Sequence, residues 1–240
     1  LYVGDQEGAE AYLGTGTQVT DLEGKTVLPG LIEGHMHINN LGENQMKIDP
    51  YWKSKEAILE LVRQEAEAAE PGEWIQGSGW LDTLWEPPGY PPKEELDAVA
   101  PDHPGILIRS ANHMCWVNSK ALELAGITKD TPDPQGGKIL KTDDGELWGC
   151  LTDTAINLVR DLVPAYTVEE QQQALLLAQE QLFSYGFTSA VNAGATVQGL
   201  ENFKALYESG EMKLRPSPMI KLTTDLTSPE AEYIRPHAPS

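Results

Sequence analysis

The chain has 240 residues, 40% of them apolar and 7% aromatic, which is enough for one large domain, or one large and one small, around a buried core. Its 37 acidic residues outnumber 17 basic ones for a formal net charge of −20, which argues against nucleic acid or an anionic membrane as partner and otherwise reads as a solvated acidic surface. Cys115 and Cys150 stand in unrelated contexts with no CxxC spacing, so two free thiols and a reducing, cytoplasmic compartment are expected. No apolar run approaches the ~20 residues that span a bilayer, and no charged-then-apolar leader is visible. The chain opens at Leu1 inside what reads as a strand, so a preceding stretch is expected.

Residues 1–28 read as short β pieces, at 2–3, 11–13, 18–22 and 25–28, separated by glycine-bearing turns such as DLEGK, and they suggest the edge of a small β unit. Residues 28–37, bracketed by Pro29 and Gly30 and ending in GHMH, read as a buried strand. Ile58, Leu59, Val62, Ala66 and Ala69 follow a helical face over 54–70, and Pro71-Gly72 ends it. The next stretch has a different texture. Five of the six tryptophans lie between Trp74 and Trp148, among Pro/Gly clusters such as EPPGYPP and TPDPQGG. It holds two expected strands, WIQGSGW and GILIRS, a helix opening at Asn118, and a hairpin turning at Asp144-Gly145. Residues 54–165 are therefore expected to form an inserted lobe. From Thr167 the pattern is regular. A capping box with Glu170 opens a helix that Gly186 ends, then come a strand at 187–193, a helix at 197–208, a strand at 214–220 and a helix start at SPEAE. Strand and helix alternating in this way imply parallel βα units.

On a strand, side chains two apart share a face, so His35 and His37 project together while Met36 faces the other way. At the carboxyl end of a parallel strand that shared direction meets the usual active-site face. Imidazole is a common zinc ligand, and two from one strand lose little freedom on gripping a metal. A pair of ordinary satisfied or exposed histidines is the competing reading.

The phrase GKTVLPGLIEGHMH resembles the opening of the amidohydrolase superfamily, where a strand of a small β-sandwich leads into the first barrel strand and its HxH metal site. Further blocks, GSGWLDTLW, HPGILIRSANHMCWVNSKALELAGIT, DPQGGKI, DGELWGCLTDTA and YGFTSAVNAG, are similar to the YtcJ-like branch, amidohydrolase family 3. The resemblance implies an α/β fold: the first part of a metal-dependent (β/α)8 TIM barrel, formed by residues 29–53 and 166–240, with the large insertion after its first strand. It implies a divalent cofactor, usually zinc, as one or two ions, which activates water for attack on a carbonyl. His35 and His37 become first-strand metal ligands. The family's remaining groups are a lysine on the fourth strand, histidines on the fifth and sixth, and a catalytic aspartate on the eighth. All lie beyond residue 240 if the strands here are the first three, so the chain is expected to be part of a longer one. Lys221 follows the third strand, but IKLTTD is only faintly like the family's lysine run, and His237 falls in a loop.

Four residues are candidates for substrate binding. Trp80 and Asp82, with Trp85 beside them, could wall a pocket or form the core of the lobe. His113 and Asn118 match the family's H…NS block, though Asn118 serves equally well as a helix cap. Asp153 stands where the family often carries an acid, or is a helix-dipole partner, and Asn192 should face the barrel mouth. The resulting function is hydrolysis of an amide, formamide or cyclic amide C–N bond in a small molecule, with a homodimer left open. Two rivals stand: a truncated relic or binding module on the same scaffold, and an HxH phosphoesterase, against which counts the lack of a phosphate cradle near His35.

Overall fold

The computed structural model describes residues 2–221, 225 and 227–234. The chain divides into two compact units, Leu1–Gly30 and Leu31–Ser240.

The first unit holds one helical turn, α1 (Gln6–Ala9), where the Asp5 carboxylate accepts the Gly8 N–H at 2.8 Å, followed by a 3-10 turn at Glu10–Tyr12. The DLEGK turn forms as expected, with the Lys25 N–H donating to the Leu22 carbonyl at 2.9 Å and φ positive at Glu23 and Gly24. The expected β pieces do not form, since no strand occurs among the described residues of 2–30. A strand is held by ladder bonds to a neighbour, and these short runs have none in the structure. Val19, Val27 and Leu28 accordingly remain exposed.

The second unit is built on two sheets. β1 (Leu31–Met36) runs into α2 (Ile38–Gln45), and α3 (Lys55–Ala68) follows, its first turn capped by Ser54. Then come β2 (Ile75–Trp80), α4 (Lys93–Val99), β3 (Gly105–Arg109), β4 (Met114–Val117), α5 (Ser119–Leu124), β5 (Gly137–Lys141), β6 (Leu147–Asp153) and α6 (Asn157–Arg160). The chain closes with α7 (Val168–Ser184), β7 (Phe187–Ala195), α8 (Val197–Glu208), β8 (Arg215–Ile220) and α9 (Pro229–Ile234). The first sheet is entirely parallel in the order β1-β7-β8. The second has the order β2-β3-β4-β6-β5, with β2 and β3 parallel and the remaining pairs antiparallel. Both expected tryptophan-rich-region strands, the hairpin and the Thr167–Glu170 capping box are present.

Helices cover both faces of the five-stranded sheet. Ile58 and Val62 of α3 and Leu96 of α4 pack with Trp80, Leu107 and Trp116 on one face, and Leu122 of α5 and Val159 of α6 pack with Ile106, Val117 and Leu151 on the other. The three-stranded sheet is covered on one side only, where Ile38, Leu175, Leu182, Ala190, Phe203 and Leu206 form the core with α2, α7 and α8. Gly42 lets α2 and α7 approach so closely that a Cβ there would lie 1.8 Å from the Ala174 carbonyl oxygen. The fold is thus mixed α/β. No helix among the described residues is long and apolar enough to cross a membrane.

Candidate metal centre

The pleat of β1 sets the site. Met36 packs against the core below the parallel sheet, while His35 and His37 are exposed, with ring centroids 5.9 Å apart and planes at 79°. His37 is also the N-cap of α2, so a strand end and a helix start fix its backbone together. Its Nδ1 lies 2.9 Å from the Ala193 carbonyl oxygen on β7. A carbonyl only accepts, so Nδ1 carries a proton, and in the neutral ring the lone pair is then on Nε2, the tautomer a metal ligand needs.

Asn192 clamps this corner. It pairs with Met36 across β1 and β7 and is 1% exposed. Its Oδ1 accepts the Ile38 N–H at 2.8 Å, and its Nδ2 donates to Asn39 Oδ1 at 3.1 Å. One side chain on β7 thereby satisfies an otherwise orphaned amide of the first turn of α2 and ties that turn to the neighbouring strand. Beside His37 is a hollow of about 210 Å³ lined by Asn39, Asn40, Glu43, Asn192 and Thr196, with no Lys or Arg in its lining. Burial raises the Glu43 carboxyl above its ordinary pKa, and Lys47 opposes the rise.

The two imidazoles suit two positions in the shell of a borderline cation such as zinc by donor type, and His37 by tautomer as well. Among the described residues no group of three or more His, Cys, Asp or Glu converges to hold a metal. Lys221 is exposed at the end of β8 and its backbone N–H donates to the Ala195 carbonyl at 3.0 Å. His237 lies outside the described residues.

The substrate candidates separate into two kinds. Trp80 does not wall a pocket: it is fully buried, stacked on Trp85 at 5.5 Å, with its indole N–H donated to the Leu107 carbonyl at 2.8 Å. Asn118 is also fully buried, and its bonding capacity is spent. Its Oδ1 accepts from the Gly105 N–H at 2.9 Å and the Ala121 N–H at 3.0 Å, and its Nδ2 donates to the Ala100 carbonyl at 3.1 Å and the His103 carbonyl at 2.7 Å. The cap is thus also a strap between loop and strand, with nothing left for a ligand. Asp82 is 7% exposed and held by Arg109 Nε at 2.7 Å, while that guanidinium lies over the Trp80 ring.

His113 differs. It is exposed at the β3–β4 turn, and its Nδ1 lies 2.9 Å from Asp153 Oδ1, which joins two residues 40 positions apart. Asp153 adopts φ 48°, ψ −120°, a conformation costly for a residue with a Cβ, and the Asp153 N–H donates to the His113 carbonyl at 3.1 Å. Sequence reasoning missed Asn39, Glu43 and Arg109. The i, i+4 spacing of Asn39 and Glu43 on one face of α2 was the available signal.

The chain belongs to the amidohydrolase family, whose pattern residues 18–239 match. Among its relatives it is 35% identical over 180 residues to the putative amidohydrolase YtcJ of Bacillus subtilis, covering 75% of this chain and 34% of that protein. It is 32% identical to the protein LONG AFTER FAR-RED 3 of Arabidopsis thaliana, covering 93% of this chain and 40% of that one. It is 30% identical to an N-substituted formamide deformylase of Arthrobacter pascens, covering 81% and 37%. The chain therefore spans between a third and two-fifths of these relatives' length. Its fold is shared with a crystal structure described as a metal-dependent hydrolase of Pyrococcus horikoshii, at TM-score 0.67 and 24% identity, covering 92% of this chain and 42% of that one.

Proposed function

We propose that this chain supplies the first metal-gripping strand of a hydrolase that cleaves a C–N bond in an amide, formamide or cyclic amide of a small molecule. The observation that carries the reading is the His35–His37 pair at the end of β1, with His37 locked by Ala193 in the tautomer that leaves Nε2 free. A divalent cation, zinc by the nature of the donors, supplies Lewis acidity and an activated water when bound. The protein's own groups do the positioning. Asn192 holds the turn that carries His37, and Asn39, Asn40 and Thr196 offer an amide substrate donors and acceptors in the adjoining hollow. Exposed His113, oriented by Asp153, retains the capacity for a substrate contact that Trp80 and Asn118 lack.

On this reading the three parallel strands open a (β/α)8 barrel, with the catalytic aspartate and the other ligands on later strands. Leu31, Ile32 and Met219, exposed on the sheet, support it, since the strands of a parallel sheet are ordinarily buried on both faces. The formamide deformylase among the relatives supports the substrate class. The two buried, unpaired cysteines are in keeping with a cytoplasmic setting.

The test is turnover by the full-length protein: release of formate from a panel of N-substituted formamides, and of amine from simple amides, abolished by a chelator and restored by zinc. The scaffold-relic reading draws on the absence of a third convergent ligand among the described residues, and absence of turnover with and without zinc would establish it instead.

A further inference from the structure

We propose that a second hollow, between the edge of the five-stranded sheet, α2 and α6, binds a small aliphatic monocarboxylate, with Lys47 and Arg160 as its anion-binding groups. The hollow has a volume of about 250 Å³. Its floor is one face of the sheet: Gln76 and Ser78 of β2 lie in register with Ile106 and Ile108 of β3, and all four line it. α5 and α6 cover this face over β3, β4 and β6 but leave the edge strand β2 open. The end of α2 and the residues that follow it cross there, because Ile48 bridges to Gly77. Asn44 and Lys47 come from that crossing segment, and Arg160 and Val163 from the opposite wall.

The electrostatics single this place out. In a chain of net charge −20, two cations line one hollow whose lining holds no carboxylate. No acidic oxygen lies within 4 Å of Lys47 Nζ or of the Arg160 guanidinium among the described residues. Lys47 rests over the Tyr166 ring at 5.5 Å, and Arg160 is held by Asn157 Oδ1. Burial lowers the Lys47 pKa, and Glu43, acting at longer range, only partly offsets this. Counting Glu43 against the two cations leaves a local excess of one positive charge, which matches a monoanion. A half-desolvated ammonium without an acidic contact partner gains most from such a ligand. The aliphatic part is assigned by Ile106, Ile108 and Val163, and the volume of about eight waters admits a ligand of similar heavy-atom count. Lys47 as a point charge and Arg160 as a planar fork are both suited to a carboxylate, and the lining offers no ring of backbone amides of the kind that cradles phosphate.

This inference does not depend on the hydrolase reading. It is tested by calorimetric titration of the full-length protein with 4-methylpentanoate, with 4-methylpentanamide and inorganic phosphate as comparisons. The expected result is saturable 1:1 binding at about 1 mM or tighter. The neutral amide, and the Lys47→Met and Arg160→Gln variants, should each bind the probe or be bound at least tenfold more weakly. Lys204→Gln, a surface change near Glu201, should bind as the parent does. Lys47→Met keeps the aliphatic stem on Tyr166, and Arg160→Lys keeps the charge and should retain part of the binding, so a fold defect in one variant does not decide the outcome. No saturation at ten times the expected concentration, equal binding of the amide, phosphate binding as tight as the carboxylate, or variants indistinguishable from the parent would each overturn the proposal.

Discussion

The two sheets of the second unit treat their polar residues in opposite ways. In the five-stranded sheet, covered on both faces except along its edge strand β2, every polar group singled out from the sequence except exposed His113 and Asp153 is consumed internally: Asn118 by four hydrogen bonds, Trp80 by the Leu107 carbonyl, Asp82 by Arg109. In the three-stranded sheet, covered on one face, the strand ends keep spare capacity, with His37 Nε2 and the groups of the adjoining hollow still open to a ligand. A polar residue with its bonding exhausted in a covered layer is scaffold. One anchored by half of its bonding and open at the other half is a candidate for chemistry.

That contrast can be broken by substitution. Its severest test is Asn118→Ala, which strands two amides and two carbonyls in the covered layer and should cost on the order of 4 kcal/mol in urea unfolding. A loss below about 1 kcal/mol would remove Asn118 from the scaffold. Gly42→Ala sets a methyl against the Ala174 carbonyl, forces α2 away from α7 and should cost about 3 kcal/mol. Because His37 is the N-cap of α2, weaker metal retention should accompany it.

Asn192→Ala belongs to the other class. It leaves the Ile38 N–H unpaired, for about 2 kcal/mol, and should lower metal affinity about tenfold by loosening His37. A stability loss with unchanged metal affinity would make Asn192 scaffold as well. The thiols sharpen the comparison through pH. Burial pushes Cys115 up to about 12 and Cys150 higher still. Above pH ~9 the unfolded chain releases thiol protons that the folded chain retains, so stability should fall as pH rises from there toward 12, by about 1 kcal/mol per thiol at pH 10. Denaturation midpoints between pH 7 and 10 check this, and a thiol reagent should react only on unfolding. The smallest effect belongs to His113→Gln at the exposed His113–Asp153 pair, which should change stability by less than about 1 kcal/mol while lowering turnover.

What could be read along the chain was local. The capping box at Thr167 and Glu170, the helical face of Ile58 and Val62, the Asp144-Gly145 turn and the βα alternation depend on residues a few positions apart, and all are present. The HxH spacing likewise made the two imidazoles neighbours, and their ring centroids lie 5.9 Å apart. Long-range pairing was not legible. The β pieces of 2–28 needed partner strands that no local pattern supplies, and the burial of Trp80 and Asn118 depended on which segments close over them. The Asn192–Ile38 clamp joins residues 154 positions apart, and the His113–Asp153 pair rests on a backbone strain that composition does not reveal.

The direct measurement is divalent metal content of the full-length protein by elemental analysis, before and after His35→Ala and His37→Ala, with circular dichroism to establish that each variant is folded. The account predicts about one or two equivalents in the parent, lost from both folded variants, and less firmly held by Asn192→Ala. Metal retained in full by both variants, or a folded parent that takes up none from excess zinc, would contradict it.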